Sequence, residues 1–164
     1  FLVLKETGFK IPSLVSSGAF VRQQVRIDEG VLVQAGCVID SRATLGNNVL
    51  LGFNVLIGHD CVVEAHATLS GGVILNGGVK VGEGVFMGMG SILYRDAGEW
   101  AKISPGVACL NQVPDNSIVF GERCWISKSI SLTVVPFNIL CTALPCLVIG
   151  CGSLSCERVS SMKN

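Results

Sequence analysis

From Val25 to Leu93 the chain repeats every six residues, and no other feature limits its fold as tightly. Written in hexads, the first column reads Val25, Val31, Cys37, Ala43, Val49, Val55, Cys61, Ala67, Val73, Val79, Val85 and Ser91. Two residues on, the second reads Ile27, Val33, Ile39, Leu45, Leu51, Ile57, Val63, Leu69, Leu75, Val81, Met87 and Leu93. The first column is small or β-branched throughout, and the second is large and aliphatic. Glycine recurs between the columns and at the corners, at Gly30, Gly36, Gly46, Gly52, Gly58, Gly72, Gly78, Gly82, Gly84, Gly88 and Gly90. A short period of this kind is the mark of a parallel β-helix.

In a strand, residues i and i+2 face the same way. Each hexad therefore offers two inward side chains and then a corner. Three flat sides of six residues close a coil of eighteen, and stacked coils bury both columns in one core. Each fully buried large aliphatic contributes roughly 1.5–3 kcal/mol, so the second column offsets much of the ordering entropy. An amphipathic helix would need apolar spacings of three and four, which are absent. The expected fold is all-β, a parallel β-helix of hexapeptide repeats.

Residues 1–18 do not follow the hexads and read as the end of an earlier unit, a short helix or strand turned by Pro12 into the first coil. The β-helix is expected over residues 19–121. Its register breaks at Ala97-Gly98-Glu99-Trp100, four residues where a hexad supplies six, and resumes at Ala101 and Ile103. Pro114, which has no N–H for a ladder, is expected to close the stack. Residues 122–164 form an irregular tail with five of the eight cysteines. Within it, residues 130–150 approach the ~20 apolar residues of a membrane span. Pro136, Pro145, Asn138 and the lack of flanking basic clusters argue against one.

The chain's 164 residues hold 12 basic and 12 acidic side chains, a balance that gives no electrostatic footprint for nucleic acid or an anionic membrane. Cys37 and Cys61 fall in the inward column, where a thiol acts as a small hydrophobe. With no secretory leader at Phe1-Leu2-Val3-Leu4-Lys5-Glu6, the expectation is a reduced, cytoplasmic protein.

Only two histidines are present, His59 and His66. A corner histidine is ordinarily a solvated side chain, but His59 has two neighbours that suit chemistry. The adjacent Asp60 can fix the imidazole tautomer and raise its basicity, as a general base requires. At eighteen residues per coil, Gly77 stacks beside His59, where a backbone N–H is open to an oxyanion. His66 lies between Ala65 and Ala67 and reads as a surface histidine or a ligand contact. No phosphate-binding glycine motif or paired CxxC metal site occurs, so no metal is expected.

These residues resemble the hexapeptide-repeat acyltransferases with a left-handed β-helix, and among them the sialic acid O-acetyltransferase and bacillosamine N-acetyltransferase group of sugar acetyltransferases. The likeness rests on Ile57-Gly58-His59-Asp60-Cys61-Val62-Val63, then Gly71-Gly72-Val73, the run Gly77 to Gly84, and Val113 to Gly121. Left-handedness comes from the resemblance alone, since ordinary crossovers are right-handed. The resemblance implies a homotrimer with active sites between β-helices, acetyl-CoA as co-substrate, and a sugar acceptor, often nucleotide-linked. By position, His59 matches the catalytic base, Asp60 the acidic residue that tunes it, and Gly77 the glycine whose N–H meets the thioester carbonyl. A second histidine of that family, one that contacts acetyl-CoA, corresponds to Thr68 here, with His66 nearby.

The sequence also departs from that group. Residues 1–18 match only the last part of a sugar-binding domain, Ser16-Ser17 replaces the usual His-Pro entry, and Glu122-Arg123-Cys124-Trp125 replaces the usual ending. Two rivals to acetyl transfer remain. One is a zinc hydratase on the same fold, which needs three histidines. The other is a non-catalytic β-helix with a structural or assembly role, favoured by the altered last coils.

Overall fold

A computed structural model describes residues 1–121 and the backbone of Trp125–Lys128. The hexads form short strands on three sides of a coil. Side A stacks Leu14–Val15, Leu32–Val33, Leu50–Leu51, Thr68–Leu69, Phe86–Met87, Lys102–Ile103 and Ser117–Phe120. Side B stacks Phe20–Val21, Val38–Ile39, Leu56–Ile57, Ile74–Leu75, Ile92–Leu93 and Ala108–Cys109. Side C has Arg26–Ile27, Thr44–Leu45, Val62–Val63 and Lys80–Val81, continued by single bridges from Val81 to Ala97 and from Ala97 to Val113. All these pairings are parallel. The regular ones join residues eighteen apart, as in Thr68↔Phe86 and Leu56↔Ile74.

The core is the pair of columns. From Val31 to Leu93 every member is buried, Leu45, Leu51, Ile57 and Leu69 completely. The polar intruder, Ser91, is satisfied because its hydroxyl donates to the Gly88 carbonyl at 2.8 Å. Val25 and Ile27 are only partly buried, because Arg26–Ile27 is the edge strand of side C. Burial raises the thiols of Cys37 and Cys61 above the usual range. Both donate to backbone carbonyls, of Gly52 and Asn76, and behave as packing groups rather than nucleophiles.

Three local expectations are revised. The ladder starts at Leu14–Val15, which pairs with Leu32–Val33, within the stretch expected to precede the coils. Before it, the helix Leu2–Glu6 is tied down by Lys5, which contacts Glu29 at 2.6 Å, while the other Glu29 oxygen accepts from the Ile11 N–H. Next, Pro114 does not close the stack. It sits on an exposed corner, where a missing N–H costs nothing, and Ser117–Phe120 continues the ladder onto Lys102–Ile103. The backbone of Trp125–Lys128 then pairs antiparallel to Ser117–Phe120.

The third revision concerns the register. Val81 bridges Ala97, so the coil is already two residues short before Gly98. The shortage lies at Tyr94–Asp96, and it recurs at Leu110–Gln112 because Ala97 bridges Val113. Each shortened corner lacks the inward residue that Val79 supplies one coil earlier. Residues 130–150, considered above as a span, lie outside the described residues. Among the described residues, no helix is long and apolar enough to cross a membrane.

Candidate active site

The corner between sides B and C holds His59 and Asp60. Successive coils place Gln24, Arg42, Asp60 and Gly78 there, all with positive φ. Asp60, at φ +58°, adopts a left-handed conformation that Asp tolerates better than most residues. That turn folds its carboxylate back onto the preceding side chain. His59 Nδ1 donates to Asp60 Oδ2 at 2.7 Å. The carboxylate thereby holds the proton on Nδ1 in the neutral ring and leaves Nε2 with its lone pair outward.

Nε2 faces Gly77, one coil on. The two corners are joined where the Gly78 N–H donates to the His59 carbonyl at 2.7 Å. A β-carbon on Gly77 would lie 2.5 Å from His59 Nε2 and 2.8 Å from Cε1, so only glycine admits the ring in this position. Among the described residues, the Gly77 amide donates no hydrogen bond. The imidazole is 59% exposed and can receive a substrate.

A third residue joins the pair. Arg42 Nε meets Asp60 Oδ1 at 2.6 Å and Arg42 Nη2 meets Oδ2 at 2.7 Å, a two-pronged contact from the coil before. The guanidinium first, and then His59, hold the Asp60 carboxyl well below the usual carboxylate range. Sequence reasoning missed Arg42. Its signal was an opposite charge eighteen residues before Asp60, a spacing repeated in the neighbouring pair Arg22–Asp40 at 3.3 Å.

Beyond Gly77 the shortened corners leave a cavity of ≈ 700 Å³. It is lined by the same corner on three successive coils: Asn76, Gly77 and Gly78, then Tyr94 and Arg95, then Asn111. Gly77 thus stands between the imidazole and the cavity.

The other sequence-predicted residues lie elsewhere. His66 occupies the corner between sides C and A, at φ +62°. Its Nδ1 accepts from Asn48 Nδ2 at 3.0 Å, and its ring meets Phe1 edge-on at 5.7 Å. Thr68 begins the next side A strand, between Leu50 and Phe86. Within one chain, side C therefore separates both residues from His59. Among the described residues, no group of three His, Cys, Asp or Glu side chains is placed to hold a metal.

No family model matches the chain, and no curated protein does. Solved structures do. A perosamine N-acetyltransferase from Caulobacter crescentus, in complex with CoA and GDP-perosamine, is similar over 77% of this chain and 62% of its own, with 27% identity and a TM-score of 0.75. Two further structures of that protein carry substitutions at a single histidine. The acetyltransferase domain of PglB from Neisseria gonorrhoeae, in complex with acetyl coenzyme A, is similar over 75% of this chain and 61% of its own, with 26% identity and a TM-score of 0.72. A UDP-N-acetylglucosamine O-acyltransferase from Moraxella catarrhalis shares the fold, with 19% identity and a TM-score of 0.66. The fold common to them and this chain is the left-handed parallel β-helix of acyltransferases. The chain spans under two thirds of the length of the first two.

Proposed function

We propose that this chain is the β-helix part of an acetyltransferase that moves an acetyl group from acetyl-CoA to an amine or hydroxyl of a sugar carried on a nucleotide. The observation that carries this reading is the His59–Asp60 pair set against Gly77 beside an open cavity. The CoA and nucleotide sugar bound by the Caulobacter protein support both substrate classes.

His59 Nε2 accepts the proton of the acceptor amine or hydroxyl as its nitrogen or oxygen attacks the thioester carbonyl. The Gly77 N–H donates to the oxygen that gains negative charge. When the tetrahedral adduct collapses, the C–S bond breaks, and His59 returns its proton to the departing sulfur. Asp60 holds the ring and balances the imidazolium between the two transfers. Thr68 and His66 are assigned to acetyl-CoA contacts made from a neighbouring chain, since one chain keeps them away from His59.

The outer surface supports a homotrimer. Side B presents Phe20, Val38, Leu56, Ile74, Ile92 and Ala108 outward, all apolar. Side A presents Leu14, Leu32, Leu50, Thr68, Phe86, Lys102 and Ile118, whereas side C presents Arg26, Thr44, Val62 and Lys80. A wholly apolar side B next to a side A that is apolar at five of seven positions, with a more polar side C, suits a closed ring of three in which side A of one copy covers side B of the next. His59 lies where side B ends, at the edge of such an interface. Cys37 and Cys61 are buried thiols that donate to backbone carbonyls, which fits a reducing cytoplasm.

The same apolar sides favour a second reading, an assembly subunit without catalysis. Calorimetry with acetyl-CoA, followed by measurement of CoA release with amino-sugar nucleotides, separates the two. Binding with acceptor-dependent release is expected. A chain that assembles but neither binds acetyl-CoA nor releases CoA would leave the structural role.

A further inference from the structure

We propose that Arg42 is a positioning residue for this site: by gripping both oxygens of Asp60 it fixes the carboxylate under His59 Nδ1, and so keeps Nε2 the unprotonated, substrate-facing nitrogen. The inference rests on the acyl-transfer reading for its kinetic consequence, but not for its geometry.

Asp60 is exposed, and a lone exposed carboxylate rotates about χ1 and χ2 and shares its hydrogen bonds with water. One 2.7 Å contact to a neighbouring imidazole does not immobilise it. The guanidinium does, because its planar fork matches both carboxylate oxygens and removes that rotation. Both contacts are present, at 2.6 and 2.7 Å. Arg42 is itself placed by the coil repeat, since it occupies the same left-handed corner position as Asp60, one coil earlier.

Oxygen sharing adds an electrostatic role. Oδ2 accepts from both His59 Nδ1 and Arg42 Nη2. A bare carboxylate would favour the imidazolium, and a protonated ring cannot act as a base. Arg42 shares Oδ2 with the ring and offsets part of that charge. Among the described residues, the other charged groups on the neighbouring coils are Asp40, which feels the His59 charge, Arg22, which pairs with Asp40, and, beyond Gly77, Arg95 and Asp96 at the cavity. Asp40 and Arg22 form a second balanced pair on the preceding coils, and removing Arg42 leaves all four unchanged.

The test uses the full chain with Arg42→Ala and Arg42→Lys. Long-range 15N–1H correlation spectra report the histidine tautomers directly, and His66 serves as an internal control. In the wild type, neutral His59 is expected as the Nδ1–H form. In Arg42→Ala a substantial Nε2–H population should appear, while His66 signals stay in place. The kcat should drop about tenfold, the scale of an outer hydrogen-bond partner, with little change in KM for acetyl-CoA. The acidic limb of the pH–rate profile should move to higher pH, because the Asp60 charge is no longer offset. Arg42→Lys keeps the charge but loses the fork, so the limb should return toward its wild-type position while kcat recovers only in part. An Nδ1–H tautomer retained in Arg42→Ala would overturn the proposal, as would an unmoved acidic limb. A tautomer shift in a chain that transfers no acetyl group would instead overturn the acetyltransferase reading and leave the role of Arg42 standing.

Discussion

Gly77 and His59 occupy one volume between them: the space a Gly77 side chain would fill is taken by the imidazole, with Nε2 2.5 Å from the would-be β-carbon. The glycine is required by the ring and not by its own backbone, since it is absent from the positive-φ positions. Gly77→Ala should therefore fold. The obstructing atoms are the far end of a side chain, which can swing aside. The expected result is a melting temperature close to wild type with kcat reduced about 10²-fold or more, because the base is displaced from its working position. Thermal denaturation and steady-state kinetics on one sample check both halves.

On the proposed mechanism, His59→Ala removes the proton acceptor. The kcat should fall by about 10²–10⁴-fold, the usual span for a general base, with acetyl-CoA affinity nearly unchanged. His66→Ala should lose far less activity. It forfeits the Asn48 hydrogen bond and the Phe1 contact and puts alanine at φ +62°, so its deficit should show as stability, on the order of 1–2 kcal/mol. Equal catalytic damage from both variants would show that the base has been misassigned.

The pH dependence has a definite sign. Asp60 is held ionised well below the usual carboxylate range, first by Arg42 and then by His59, so on the proposed mechanism its charge is constant over the pH range in which a histidine base is lost to protonation. Asp60→Asn removes the negative neighbour and leaves Arg42 unpaired beside the ring. Both changes disfavour the imidazolium, so the acidic limb of activity should move to lower pH, opposite to the shift expected for Arg42→Ala. The kcat loss should be smaller than for His59→Ala. Rate profiles between about pH 5 and 8, where histidine ordinarily titrates, would record it.

Leu56 stands at the middle of the apolar side B, 43% exposed, between Val38 and Ile74. Leu56→Glu should leave the coils intact, because the residue points away from the core. It should prevent association by burying a charge in the interface. Sedimentation should then give a monomer with wild-type circular dichroism and little activity. An active monomer would contradict the trimer.

Period and register were legible because two constraints act at every hexad: inward residues must be apolar, and corners must turn. That double requirement wrote both columns from Val31 to Leu93 into the sequence, and the eighteen-residue coil sets Gly77 beside His59. The shortened corner was misplaced to Ala97–Trp100 for a physical reason. Ala97 is small enough for either column, and only the bridge to Val81 assigns it. The cavity was not legible, since it arises from residues that are missing. Arg42 and the apolar outer sides were written at spacing eighteen, but outward positions carry no packing constraint to make such a pattern stand out.

The left-handed corners have a consequence for how such a chain can change. Among the described non-glycine residues at positive φ, Gln24, Arg42 and Trp100 carry more strain, whereas Asn48, Asn54, Asp60, His66 and Asn116 are polar types that tolerate that conformation better than other non-glycine residues. They are also acids, bases and hydrogen-bonding groups. Backbone demand and chemical demand thus draw on overlapping residue types at the same places. A mutation from glycine to one of them at a corner adds a functional group at modest strain and without touching the buried columns. Sites on this scaffold can therefore arise, move by eighteen residues, or be lost, while the coil beneath them stays the same.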